Sequence, residues 1–372
     1  MPPNANLVRL HEAGVSIWLD TLSRRLLDSG EFAALIRDCS VTGATSNPTI
    51  FAKAITGSDL YDEQLQRLSA VGGTDLQELF FALALDDVRA AARELRPAYD
   101  ASDGRDGFIS FECTPDLADD TEATVGQATD LWKRLAQPNV MIKVPATRAG
   151  LPAIEELTRR GINVNVTLLF AIERYEEVID AYLRGLSLRA QEGEPIDGIA
   201  SAASFFLSRI DTKVDAQLVE HSPLRGRVAI ASARVAYQRY LAKFSGREWR
   251  RLVDLGARPQ RPLWASTGTK NSAYSDILYV AELIGPGVIN TMPEPTLRAF
   301  ADHGEVVETL TIDPAGAVQI LVDAAAAGVD LTAIAAGLER EGLESFCGSY
   351  RQLLACIESE LGRVRADQLS PG

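Results

Sequence analysis

The sequence predicts an α/β protein, a (β/α)8 TIM barrel with additional C-terminal helices. Three observations lead there. Eight short β-type runs recur between longer stretches of helical periodicity, which implies a parallel sheet with right-handed crossovers. Eight strands favour closure into a barrel over an open doubly wound sheet. The rival dinucleotide fold lacks its fingerprint, because Val15–Asp20 runs into Thr21–Asp28 with no G-x-G-x-x-G loop between them.

In chain order the expected strands are Val15–Asp20, Ser40–Thr45, Gly107–Glu112 and Val140–Val144, then Ile162–Thr167, Gly198–Ala202, Leu263–Ser266 and Val288–Thr291. The clearest helix is Ala171–Arg189, where Ile172, Tyr175, Val178, Ile179, Tyr182, Leu183 and Leu186 recur at three- and four-residue spacing. Its acidic side, Glu173, Glu176, Glu177 and Asp180, reads as a solvated surface. Arg225–Pro259 forms an inserted helical stretch. The region after Pro293 is expected to be helical throughout, ending in Leu331–Leu361, and it exceeds what eight units need. Residues 1–372 are therefore read as one barrel domain, with a helical extension from about residue 294 packed on it. The tail Asp367–Gly372 is expected to fray.

Composition narrows the function. The 372 residues are 46% hydrophobic, enough for a sizeable core. Lys and Arg total 37 against 51 Asp and Glu, a net charge of −14, and such a surface repels nucleic-acid backbones and anionic lipid. No nucleic-acid or membrane partner is expected, and a phosphorylated substrate would need local cations. The four cysteines show no C-x-x-C spacing and read as reduced cytosolic thiols. His11, His221 and His303 lie far apart without ligand-like neighbours, which disfavours a metal site or a Ser-His-Asp triad. Met1–Gly14 lacks the apolar core of a signal peptide, and Val322–Leu338 is broken by Asp323 and Asp330, unlike a membrane span. A cytoplasmic location is expected.

Barrel strands are covered outside and filled inside, so polar residues on them are informative. Asn163, Asn165 and Thr167 alternate with valines and share one face. Glu112 ends the third strand on the face of Ser110, Lys143 lies in the apolar run Val140–Pro145, and Asp20 closes the first strand. Taken singly, Asp20, Asn47 or Asn165 suits a helix cap or a loop hydrogen bond. Lys143 alone suits a snorkelling side chain or a structural bridge to Glu112. Together, all five stand at or just beyond C-terminal strand ends, where barrel enzymes assemble their chemistry. An ammonium isolated in apolar surroundings is costly, so it takes a carboxylate partner or gives up its proton. A neutral amine is the nucleophile that carbonyl chemistry requires.

These residues carry a resemblance. Gly43-Ala44-Thr45-Ser46-Asn47-Pro48-Thr49-Ile50 resembles the Thr-Ser/Thr-Asn-Pro signature of transaldolases, and Val140–Leu151 is similar to the segment around their Schiff-base lysine. Trp18–Thr21, Ile162–Leu168 and Ala202–Ile210 fall in family order, so the likeness spans roughly Val15 to Thr296. It implies a barrel with the lysine on the fourth strand and a dihydroxyacetone unit moved between sugar phosphates. In that reading Lys143 forms the imine and Asp20 takes the C4 hydroxyl proton. Glu112 and Thr167 hold a proton-shuttling water, and Asn47 and Asn165 bind the three-carbon unit. Arg209, Ser204 and Ser266 hold the phosphate, with a cation after the seventh strand. Shorter transaldolases place an Arg there in an Ala-Ser-x-Arg-Asn run, whereas Ala265–Asn271 is two residues longer and offers Lys270. A lysine supplies a point charge without the bidentate fork. For Ser204, Ser266 and Thr269 the reading as ordinary loop hydroxyls stands beside this one.

The resemblance implies no metal and no organic cofactor; sugar phosphates are the expected partners. Two alternatives are a class I lysine aldolase, which shares the imine, and a non-catalytic sugar-phosphate-binding barrel. The intact Asp20, Glu112 and Lys143 set argues against the latter. Nothing in the sequence fixes an oligomeric state.

Overall fold

The structure is a computed structural model that describes residues 2–56, 58–70 and 75–369, with side chains as far as residue 364. Helix α1 (Ala5–Glu12) precedes β1 (Val15–Leu19), and α2 (Arg24–Asp28) and α3 (Glu31–Cys39) lead to β2 (Val41–Thr45). Then come α4 (Pro48–Ile55), α5 (Asp62–Ala70), α6 (Leu76–Ala101) and β3 (Phe108–Glu112), followed by α7 (Thr121–Leu135) and β4 (Val140–Pro145). Helix α8 (Gly150–Arg159) leads to β5 (Val164–Leu169), and α9 (Ile172–Gln191) to β6 (Ser201–Phe206). Three helices, α10 (Ser208–Asp215), α11 (Val228–Lys243) and α12 (Arg247–Val253), precede β7 (Arg261–Ala265), and α13 (Leu278–Ala281) precedes β8 (Val288–Met292). The chain continues as α14 (Glu294–His303), α15 (Pro314–Ala326) and α16 (Leu331–Leu369).

The eight strands pair in parallel in chain order, and β8 closes on β1. Register then decides which side chains meet. Glu112 is level with Lys143, and Lys143 with Asn165, so three neighbouring strands present these residues on one face. Lower down, the Trp18 indole is fully buried and donates to Asp106 Oδ1 at 3.0 Å. It leaves no room at Gly43, where a Cβ would lie 2.4 Å from Trp18 Nε1. Glycine at residue 43 of β2 is thus a packing requirement of the barrel floor.

Three expectations need correction. The sixth strand is not Gly198–Ala202 but Ser201–Phe206, paired with β7 through Phe206 and Ala265. Residue 200 instead donates its N–H to Asn163 Oδ1 at 2.9 Å, which ends the approach loop before pairing begins. The fifth strand is Val164–Leu169, not Ile162–Thr167; Asn163, just before it, ties its side-chain amide to the carbonyls of Pro138 and Val140 at 3.0 and 3.1 Å. Finally, the chain after Pro293 is not helical throughout. Residues 304–313 are irregular, tied down where the N–H groups of Thr309 and Leu310 donate to Ile284 O.

A second break separates α15 from α16, which meet at 89°. Gly328 takes φ +88 there, and Asp330 Oδ1 accepts from Ala333 N–H at 2.9 Å as the cap of α16. Among the described residues no single helix is long and apolar enough to cross a membrane; this bent pair passes by length and composition only. Helix α16 reaches Leu369, and the last three residues of the tail expected to fray lie outside the described residues.

Candidate active site

The C-terminal ends of the strands surround Lys143. Its Nζ lies 2.9 Å from Glu112 Oε1 and donates to Ser46 O at 3.1 Å, with both side chains of the ion pair more than nine-tenths buried. Of the two outcomes open to a lysine in an apolar run, the structure supplies the carboxylate partner. Neither Glu112 oxygen has an aligned hydrogen-bond donor, and Thr167 Oγ1 has no partner at all. Between Glu112, Lys143 and Thr167 lies a chamber of about 10 Å³, the space that one water centre needs.

Asp20 follows β1, its N–H bonded to Met292 O at 2.8 Å and its Oδ1 accepting from Thr45 Oγ1 at 3.1 Å. Burial raises its pKa, against the opposing pull of Lys143, the Thr45 hydroxyl, Lys270 and Arg209. Burial also raises the pKa of Glu112, opposed chiefly by Lys143 and reinforced by Asp20. Lys143 thus stands between two carboxyl groups whose proton affinity is higher than usual. That arrangement can move protons on and off an amine and a substrate hydroxyl.

Asn165 is fixed on both sides, donating to Ser110 Oγ at 2.9 Å and accepting from Ser204 Oγ at 2.7 Å. Asn47 caps α4 through its Oδ1, which accepts from Ile50 N–H at 3.0 Å. Cap and ligand readings are compatible here, because the same side chain borders the central cavity.

That cavity measures about 200 Å³ and opens from Lys143 toward Arg209 and Lys270. Arg209 is the second residue of α10, its guanidinium 5.6 Å from the Phe206 ring centre, and burial lowers its pKa. Lys270 is exposed on the loop after β7. Among the described residues neither cation forms an ion pair with a carboxylate, and both residues line the cavity. Ser266 sits just past β7 at φ +55, its hydroxyl 2.9 Å from Ser208 Oγ, and Thr269 Oγ1 donates to Ser275 O at 2.8 Å. Asp20, Asn47, Lys143, Thr167, Ser204, Arg209, Ser266 and Lys270 line this one cavity, whereas Glu112, Asn165 and Thr269 do not. Glu112 and Asn165 stand in the layer beneath it, against Lys143 and Ser204.

Sequence reasoning gave no role to several residues that line the cavity, among them Thr45, Thr291 and Phe346. Thr45 and Thr291, 3.1 Å apart, close the gap beside Asp20, and the rule that favours C-terminal strand ends would have found both. Phe346 arrives on α16, and nothing local in its sequence signals a place at the barrel mouth.

Comparison with known proteins places nearly the whole chain in one family. The model of the family described as Transaldolase/Fructose-6-phosphate aldolase matches residues 17–357. A protein named Transaldolase from Frankia alni is 48% identical over 97% of this chain and 99% of its own length. Transaldolase of Saccharopolyspora erythraea is 47% identical over 98% of this chain and all of its own. The Mycolicibacterium smegmatis Transaldolase is likewise 47% identical over 98% of this chain. The likeness includes the C-terminal helices, beyond the point near Thr296 where the motifs stop.

Proposed function

The chain belongs to the transaldolase and fructose-6-phosphate aldolase family, and from that premise we propose how its barrel mouth carries out the transaldolase reaction. Lys143 attacks the carbonyl of a ketose phosphate, sedoheptulose 7-phosphate or fructose 6-phosphate, and forms an iminium. Asp20 takes the C4 hydroxyl proton, the C3–C4 bond breaks, and an aldose phosphate leaves. The dihydroxyacetone unit stays on Lys143 as an enamine and attacks an incoming aldehyde, glyceraldehyde 3-phosphate or erythrose 4-phosphate. Water then adds to the resulting iminium, and the C–N bond breaks to release the new ketose phosphate and the free amine. The iminium is itself the electron sink, so no metal or organic cofactor enters. This is a step of the non-oxidative pentose phosphate pathway.

Glu112 and Thr167 border the small chamber, where their side-chain oxygens hold a water that carries protons during imine formation. Asn165, locked between two serine hydroxyls beneath the cavity, offers its remaining amide hydrogen to the three-carbon unit from below, and Asn47, whose Oδ1 caps α4, offers its amide nitrogen from the cavity wall. Arg209 and Lys270 hold the phosphate, with Ser204 and Ser266 lining the path toward it. We place the enzyme in the cytoplasm, in keeping with four free cysteines.

One observation carries this reading: a buried lysine between two carboxyl groups, at the end of a cavity whose other end holds two unpaired cations. The test is reduction with borohydride in the presence of fructose 6-phosphate. The expected adduct maps to Lys143, and Lys143→Ala abolishes adduct and activity with the circular-dichroism spectrum retained. An adduct on another lysine overturns the assignment.

A further inference from the structure

Helix α16 lies across the barrel mouth and is anchored to helices of two βα units, those that follow β2 and β6. Thr49 on α4 donates to Ser349 Oγ at 2.7 Å, Lys213 on α10 pairs with Glu341 at 2.7 Å, and Tyr350 OH donates to Gln77 on α6 at 3.1 Å. Its fourth hold is steric. Gly342 lies so close to the end of β5 that a Cβ there would stand 2.8 Å from Leu168 Cδ2. Leu168 in turn takes φ +56, immediately after Thr167. Between these holds, Gly342, Leu343, Phe346 and Tyr350 fall on one helical face, turned toward the site.

Phe346 has a position that no other residue outside the barrel shares among those described. It lines the 200 Å³ substrate cavity and also the one-water chamber, and the two spaces otherwise have only Lys143 and Thr167 in common. The ring is half-buried. One side therefore borders the place where the enamine forms, and the other borders the protons that serve it.

The enamine on Lys143 has two fates. It can attack an aldehyde, which is transfer. Alternatively a proton adds at C3, water adds to the resulting iminium carbon, and the C–N bond breaks to release dihydroxyacetone and the free amine. Transfer also ends in hydrolysis of an iminium, that of the product ketose, so the two fates part earlier, at protonation of C3. Closing a site against bulk water removes that proton source and suppresses such side reactions. We propose that Phe346 is a specificity-determining residue that sets the partition of the Lys143 intermediate between transfer and hydrolysis by keeping bulk water from C3 of the enamine. This rests on the imine reading above.

The experiment compares wild type, Phe346→Ala and Phe346→Leu, with the exposed Ser345→Ala as control. Each is given fructose 6-phosphate and erythrose 4-phosphate, and free dihydroxyacetone and sedoheptulose 7-phosphate are both measured. Borohydride trapping at Lys143 runs in parallel. Truncation to Ala admits at least one further water of ~30 Å³, so the ratio of free dihydroxyacetone to transfer product rises roughly tenfold with the trapped adduct retained. Leu, which keeps part of the cover and guards against a folding defect in the Ala variant, gives a smaller rise, and the control gives none. A normal adduct with an unchanged ratio in both Phe346 variants overturns the proposal. Absence of the wild-type adduct overturns the imine reading and this inference together.

Discussion

Asp20 and Glu112 flank the same lysine, yet their surroundings give them different work. Both are pushed toward protonation by burial. Asp20 has four opposing influences, Lys143, the Thr45 hydroxyl, Lys270 and Arg209, whereas Glu112 has Lys143 alone and is pushed further up by Asp20. Asp20 is therefore the better-supported carboxylate and suits proton abstraction, and Glu112 suits a group that shares a proton with the amine and a water. Asp20→Ala should still form the imine but lose carbon–carbon cleavage by about 10²–10⁴-fold, the usual contribution of a positioned base. Glu112→Gln should slow imine formation itself. Single-turnover kinetics with trapping separates the two, and equal effects on the trapped fraction refute this division. At the far end of the cavity, a hydrogen bond to a charged group contributes roughly 1.5–3 kcal/mol. Arg209→Ala should thus raise the Michaelis constant for fructose 6-phosphate by about one to two decades and leave fructose little changed. These candidates were legible because a polar residue in a barrel strand is anomalous on its face. What was not legible is their pairing, such as Ser204 serving Asn165, since that depends on the stagger between strands.

At the scale of elements, Arg209 and Lys270 belong to different segments that are tied to each other. Asp211 on α10 accepts from Ala229 N–H at 2.8 Å and from Tyr279 OH at 2.9 Å, while Asp215 accepts from Gly226 N–H at 3.1 Å and from Tyr274 OH at 2.7 Å. The helix carrying Arg209 is thereby fastened to the start of α11 and to the chain just beyond Lys270. Burial pushes the Asp211 pKa up to about 6 from 3.8, despite the donors around it. The sign follows from proton counting. Between about pH 4 and 6 the native protein keeps a proton that the unfolded chain has released, so this group's contribution to stability falls as pH rises through that window. Two pKa units correspond to roughly 3 kcal/mol, an upper figure for one group. Asp211→Asn should reduce the loss of stability between pH 4 and 7 by roughly 1–3 kcal/mol relative to wild type, measured by urea unfolding. An identical loss in both proteins would remove Asp211 from the account. Elements were most legible where one pattern ran long, as in α9. They were least legible at β6, where Asn163, 37 residues away, captures the Ala200 N–H and delays the strand.

Taken whole, the molecule is eight local units closed by contacts that are far from local. Each βα unit is written in a short window of sequence, and for that reason the barrel could be read from strand count and alternation. The path of α16 could not. Its holds join residues 300, 128 and 273 positions apart, and an amphipathic helix says nothing about which surface it will meet. Phe346 was missed for the same reason. The far half of α16 is nonetheless core, since Leu353 and Ile357 are fully buried and Leu361 nearly so, against the side of the barrel that holds α4 and α5. A helix welded over half its length cannot swing away as a flap while the barrel stands. Leu353→Ala removes buried methyl groups and should cost about 2–5 kcal/mol, the range for such truncations in a packed core. Activity, near-ultraviolet circular dichroism and far-ultraviolet circular dichroism should then fall together at a lower urea concentration than in wild type. If activity were lost in urea well before either spectrum changed, α16 would be a separable cover, and water exclusion by Phe346 would depend on a helix that opens.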